Sequence, residues 1–274
     1  EKSYLCPLKE DSFHMKIKEV VATLERFAPL PLQEGYDNAG LQVGLTEADA
    51  SGVLLCLDVT EAVIDEAARR GCNLIVSHHP LLFHALRHVT DATQPERCVC
   101  AAIRAGITLY AAHTNLDNAP GGVNHAMARL LNMKDVRFLV PSPAGGGSGL
   151  AGELPEAMEP SRFLRLIKDT FGVACLCHNQ GPERPIRRVA LCGGAGAFLA
   201  DEAVRAGADA FITGEVGYHR FFGYENELWL LALGHYQSER HTVGLLYDIL
   251  HEAHPGLRLV RTELDTNPIR YMTD

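Results

Sequence analysis

The sequence predicts an α/β protein made of two similar lobes, and three observations carry that prediction. Short apolar runs alternate with amphipathic helical stretches along most of the chain. One strand–helix–strand unit occurs twice. Polar, ligand-type residues gather directly after apolar runs, where α/β sheets place their sites.

The repeat is the strongest of the three. Residues 53–80 (VLLCLDVTEAVIDEAARRGCNLIVSHHP) align without a gap on residues 189–216 (VALCGGAGAFLADEAVRAGADAFITGEV), at a constant offset of 136 that carries Val53 to Val189. Eight of the 28 positions are identical, and Asp-Glu-Ala-x-Arg-x-Gly recurs at that one offset, which favours shared ancestry over chance likeness between two βαβ units. Each copy opens on an apolar run of the kind a buried parallel strand shows. A helical stretch follows, with Ile64, Ala67 and Ala68 spaced to face a core. Gly71 or Gly207 ends it, as a glycine just past a helix does, and a second apolar run closes the unit. Such a crossover predicts parallel strands.

The first lobe is expected over residues 15–135 with 238–274, and the second over 136–237. PSPAGGGSG (141–149) reads as the linker. ITLYAAH (107–113) and ELWLLALG (227–234) read as strands, and GGVNHAMARLL (121–131) as a helix. SRFLRLIKDTFG (161–172) reads as a helix capped by Ser161 and closed by Gly172, and residues 239–254 as a helix capped by Ser238. Residues 1–14 lack the apolar segment of a signal peptide and are expected to be a leader outside the fold, with Met15 the natural start.

Composition narrows the function. The chain has 274 residues, 47% hydrophobic and 22% charged, enough for a substantial core. Its net charge of −9, with no basic run, argues against nucleic acid as a partner. No apolar stretch approaches the ~20 residues of a membrane-spanning helix. The eight cysteines include no Cys-x-x-Cys, and Cys56 and Cys192 fall inside apolar runs as small hydrophobes. Reduced thiols in a cytoplasmic protein are the expectation.

Four strand ends carry the chemistry. They are Ser77-His78-His79-Pro80, His113 to Asn118, Gly214 to His219, and Gly234 to Glu239. Imidazoles and carboxylates together suit Zn²⁺, Mn²⁺, Fe²⁺ or Co²⁺. Adjacent His78 and His79 point apart on an extended backbone, so they can serve two neighbouring ions. A carboxylate has two oxygens and can bridge a metal pair, and Glu239 at a helix start is the candidate for that. GGAGAF (193–198) lacks the phosphate-loop pattern and reads as a tight turn.

At these residues the chain resembles the NGG-interacting-factor-three-like family, often named GTP cyclohydrolase type-two homologues. The segments that carry the likeness are YDNAGLQVG (36–44), SHHPLLF (77–83), AAHTNLDNAPGGVN (111–124), GELPE (152–156), ITGEVGYH (212–219) and GHYQSE (234–239). They stand in family order and span residues 36–239. Tyr36 departs from the family's usual Trp, and there is no room for the domain some members carry between the halves. The resemblance implies a two-metal site held by His78, His79, Asp117, His235 and Glu239. It implies that Asp117 shares an ion with His79, that His235 shares the other with His78, and that Glu239 touches both. It also implies a ring-shaped homohexamer with the sites facing a central cavity.

On this reading the protein is a metal-dependent hydrolase acting on an anionic small molecule such as a nucleotide, GTP cyclohydrolase-like by resemblance. Glu215, His219 and His113 are the candidates for proton transfer or support of the ligands. Glu215 holds the repeat position of His79. The alternative is a non-catalytic metal-binding scaffold or regulatory interaction protein. A plain dinucleotide-binding fold ranks last, because the glycine pattern is wrong.

Overall fold

The computed structural model describes residues 14–225 and 227–272. The expected leader lies outside them except for His14. The elements run in order α1 (Ile17–Phe27), β1 (Gly40–Val43), β2 (Val53–Cys56), α2 (Glu61–Arg69), β3 (Leu74–Ser77), α3 (Gln94–Ala105), β4 (Thr108–Ala111), α4 (Thr114–Asn118), α5 (Val123–Leu130), β5 (Lys134–Pro141) and β6 (Gly147–Met158). They continue with α6 (Pro160–Phe171), β7 (Cys177–His178), β8 (Ile186–Cys192), α7 (Ala200–Arg205), β9 (Ala210–Thr213), β10 (Trp229–Ala232), α8 (His235–Glu239), α9 (Thr242–Ala253) and β11 (Leu259–Arg261).

Two mixed sheets result. The first has the order β1-β4-β3-β2-β11, with β1 antiparallel at one edge and the other four strands parallel. The second has the order β5-β6-β8-β9-β10-β7, parallel across β8, β9 and β10 and antiparallel elsewhere. The central strands are apolar along their whole length because both faces are covered: β2, β3, β4 and β9 are buried at every position. Among the described residues no helix is long and apolar enough to cross a membrane.

The repeat is visible in register. The offset of 136 carries β2 onto Val189–Cys192 of β8, and β3 onto β9. Both crossover helices end at a left-handed glycine, Gly71 at φ 64° and Gly207 at φ 68°. The likeness also runs further than one offset reveals. At an offset of 121, β4 and α4 fall on β10 and α8, and Ser77 pairs Ala111 as Thr213 pairs Ala232. The first lobe inserts α3 before this unit, whereas the second has only a short 3-10 turn at Tyr218–Phe221.

The closing helices exchange lobes. Leu245, Leu246 and Leu250 of α9 are buried among Val53, Leu55, Leu74 and Val76 of the first sheet. Met127 and Ala128 of α5 are buried with Leu150, Val189 and Leu191 of the second, while Val123 and Ala126 on the same helix reach the first core. Each repeat is thus clasped by the last helix of the other, which fixes the strand ends of both sheets at one junction.

Four expectations change. PSPAGGGSG is the turn of the β5–β6 hairpin, not a linker: Ser142 N–H donates to Gly146 O at 2.7 Å, and Gly145 supplies a φ of 95°. α6 is capped two residues earlier than read, by Glu159 in place of Ser161, with Pro160, whose missing N–H costs nothing there, at the first position. Ala68 is exposed, and α2 faces the core with Val63, Ile64 and Ala67. Residues 235–253 form two helices, so Ser238 lies inside α8 and does not cap the helix that follows.

Candidate metal centre between the lobes

The loops after β3 and β4 from the first sheet meet those after β8, β9 and β10 from the second. His78 follows β3 and is wholly buried. Its Nδ1–H donates to Ala112 O at 2.8 Å, which leaves the Nε2 lone pair free. That Nε2 lies 3.7 Å from Asp117 Oδ1 on α4 and 3.6 Å from Glu239 Oε1 on α8. His78 Nε2 and Asp117 Oδ1 are both buried without a hydrogen-bond partner. An imidazole lone pair and a carboxylate oxygen are both acceptors, so no direct bond can join them. Buried acceptors left so are costly, and a cation between them removes the cost.

His79 and His235 form the neighbouring group. Their Nε2 atoms lie 3.3 Å apart, and both face Glu239 Oε2, at 2.9 and 3.1 Å. Two nitrogens each ~2.1 Å from one tetrahedral ion sit roughly 3.4 Å apart, so the spacing matches a shared ion. Behind each ring stands an acceptor for the other nitrogen: Asp58 Oδ1 for His79 at 2.7 Å and Glu215 Oε1 for His235 at 3.0 Å. Asp58 is steadied in turn by the Thr266 hydroxyl, which donates to its Oδ2 at 2.8 Å. His113 joins at the edge, its ring 5.3 Å from that of His78 and its Nδ1–H donating to Asp37 Oδ1 at 2.7 Å. Such partners fix each ring's tautomer and aim the remaining nitrogen inward.

Three sets of side chains converge closely enough to hold a metal ion: His78, Asp117 and Glu239; His79, His235 and Glu239; and His78, His79 and His113. The pairing is the reverse of the one the resemblance implies, because Asp117 faces His78 and His235 faces His79. The reason is geometric. The His78 ring turns toward α4 as it bonds Ala112, whereas His79 alternates to the other side and meets α8.

The electrostatics are those of a cation site. Burial pushes the Asp117 carboxyl well above the ordinary range, and the Glu239 charge adds to this. Burial would raise Glu239 too, but the field of His78 and hydrogen bonds with His235 and His79 hold it well below. Burial opposes protonation of His79, yet Asp58 and Glu239 together hold it up to about 10. At Asp37, hydrogen bonds from His113 and Thr114 overcome burial and pull the carboxyl down to about 2.

The glycine segment 193–198 packs against the cluster as a bend that runs into a 3-10 turn at Gly196–Leu199. Gly193 N–H donates to Asn124 Oδ1, Gly194 N–H to Ser238 Oγ and Gly196 N–H to Thr213 Oγ1, all at 2.9 to 3.0 Å. Asn124 and Ser238 thereby act as struts between turn and helices. A Cβ on Gly194 would come within 2.4 Å of Glu239 Oε1, at a φ of 60°. Beside the cluster a cavity of about 370 Å³ opens.

Of the sequence candidates, seven meet here. His219 does not: it lies exposed on the 3-10 turn, its ring 5.2 Å from that of Tyr218. Asp37, Asp58 and Gly194 escaped the sequence reading. Asp58 follows the apolar run of β2, so the strand-end rule that found the histidines also points to it.

The fold and cluster define a class: a two-lobed α/β protein with a histidine–carboxylate cluster able to hold a metal ion at the lobe junction. The chain belongs to the Duf34/NIF3 (NGG1p interacting factor 3) family, whose model matches residues 15–268. It is 36% identical over 228 residues to a "GTP cyclohydrolase 1 type 2 homolog" of Clostridium perfringens, covering 82% of this chain and 87% of that one. It is 35% identical to "NIF3-like protein 1" of Drosophila melanogaster over 242 residues, 85% of this chain and 80% of the other. A Bacillus cereus protein related to NIF3 has the same fold, with a TM-score of 0.87 over 95% of this chain and all of its own at 22% identity. A Staphylococcus aureus structure matches with a TM-score of 0.85 at 25% identity, over 94% of this chain and 99% of its own.

Proposed function

We propose that this chain is a hydrolase that holds two divalent ions, one at His78, Asp117 and Glu239 and the other at His79, His235 and Glu239. The observation that carries this is the shared carboxylate, with Glu239 Oε1 turned to one set and Oε2 to the other. Imidazole and carboxylate donors suit Zn²⁺, Mn²⁺, Fe²⁺ or Co²⁺. When bound, such a pair acidifies a water and neutralises charge on an anionic substrate.

The chain's own residues do the rest. Glu215 and Asp58 hold the His235 and His79 rings by their Nδ1–H groups and are positioning residues. His113, anchored through Nδ1 to Asp37, presents Nε2 to the cluster and is the group placed to carry a proton. His219 has no part. The relatives' printed names support cyclohydrolase-type chemistry on an anionic small molecule. A cytoplasmic homohexamer completes the reading, and light scattering should find six chains.

Elemental analysis of protein purified without chelators should give about two metal equivalents per chain. Metal-loaded protein should turn over members of a panel of nucleotides, phosphodiesters and cyclic amides, and His79→Ala and Glu239→Ala should abolish that rate. Full activity in both variants would refute hydrolysis at this centre. Two equivalents of metal with no turnover anywhere on the panel would favour the scaffold reading.

A further inference from the structure

The cavity beside the cluster has a composition that the metal reading does not use. Three large aromatic side chains stand exposed along it: Tyr36 at 64%, Phe83 at 39% and Phe198 at 53%. Tyr36 and Phe83 come from the first lobe, Phe198 from the glycine turn of the second. The Tyr36 and Phe83 rings meet edge-on at 6.4 Å, and Phe83 meets His113 at 6.1 Å. An aromatic path therefore runs from the mouth to the cluster. Exposed aromatic surface gathered in one cavity of ligand size marks a recognition site.

Glu34 stands in the same wall. Its Oε1 is pinned by Ser148 Oγ–H at 3.0 Å and Asn118 Nδ2–H at 3.1 Å. Among the described residues no cation pairs with it, and its other oxygen takes no protein hydrogen bond. A fixed carboxylate with one free oxygen recognises an N–H donor. Among the described residues no Lys or Arg lines the cavity. The amides of Gly193, Gly194 and Gly196, which elsewhere could cradle phosphates, are committed to protein acceptors.

We infer that this cavity is a subsite for a planar heteroaromatic ring bearing an N–H, stacked on Tyr36, Phe83 and Phe198 and hydrogen-bonded to Glu34. The ligand's other end, a single short anionic or carbonyl group, reaches the metals. This deepens the metal-hydrolase reading and rests on it for that second end alone. It selects against a triphosphate tail, which would find no cationic cradle apart from the ions.

The test uses metal-loaded full-length protein and calorimetric titration with inosine 5′-monophosphate, its 1-methyl derivative, inosine 5′-triphosphate and inorganic phosphate, with metal content measured on the same samples. Inosine has one ring N–H, at N1, so methylation removes the donor alone. Methylation should weaken binding at least tenfold in the parent, and Glu34→Ala should erase that difference. Phe198→Ala should weaken both nucleotides about tenfold, the scale of one lost stacking platform. The triphosphate should bind no tighter than the monophosphate. Equal binding of the two monophosphates by the parent, or a triphosphate bound more than tenfold tighter, overturns the subsite, whatever the folding of the variants. If phosphate binds and metal is present in that case, the metal reading stands alone. If no metal is found while the methyl discrimination persists, the subsite stands and the metal reading falls.

Discussion

At the residue scale the centre depends as much on what is missing as on what is present. Glu239 can turn one oxygen to each histidine set only because Gly194 has no side chain. A methyl there meets Oε1 at 2.4 Å, and the φ of 60° adds roughly 1 kcal/mol of backbone cost for alanine. Gly194→Ala should therefore weaken metal binding at least tenfold, read by competition with a chromophoric chelator. Gly145→Ala is the control, because its φ of 95° is strained while nothing lies within 4 Å of the added methyl. That variant should lose stability and keep its metal. Parental affinity in Gly194→Ala would mean that Glu239 does not need this approach. Nothing in Gly-Gly-Ala-Gly signalled the constraint, since the crowding comes from a helix 45 residues later in the chain.

At the element scale, legibility follows burial. β2, β3, β9 and the Val189–Cys192 part of β8 are readable because strands covered on both faces are nearly all apolar, and the left-handed turns after α2 and α7 favour glycine. The β4–α4 and β10–α8 likeness was not readable. Inserting α3 changes the offset from 136 to 121, and only Leu109 and Ala111 keep identical partners. α8 reads in the sequence as the turn before a helix over 239–254, because five helical residues have no periodicity to read. The strand-end rule points to the clustered side chains but not to how they group, which depends on the direction each ring takes. α9 offers the test at this scale. Leu246 is fully buried in the first lobe's core, so Leu246→Ala should cost about 2–5 kcal/mol in urea unfolding. At saturating metal the folded variant should keep its full metal content, because Leu246 lies away from the ligands. A loss under 1 kcal/mol would contradict the anchoring of α9 on the first sheet.

At the scale of the molecule, the clasped lobes bring three imidazoles and two carboxylates into one cluster, and without metal some of those groups hold protons instead. His79 is the clearest case, with both ring nitrogens against carboxylate oxygens and its pKa held up to about 10. A metal ligand must be a neutral imidazole, so metal and proton compete for Nε2. Below about pH 10, metal uptake must expel that proton, and the raised Asp117 carboxyl adds a second in more acid solution. Apparent metal affinity should rise about tenfold per pH unit between pH 6 and 8. Titration calorimetry in two buffers of different ionisation enthalpy should count about one proton released per chain at pH 7.5. The metal-free protein should respond in the opposite sense. The stability His79 contributes is fully present below its unfolded value of 6.5 and is lost as pH rises toward about 10. Alkali should thus loosen the apoprotein while tightening its hold on metal, so that chelation lowers the melting temperature more at pH 9 than at pH 6.5. Metal uptake without proton release would mean that His79 is not a ligand, and the reading of the centre as two sets sharing Glu239 would fail with it.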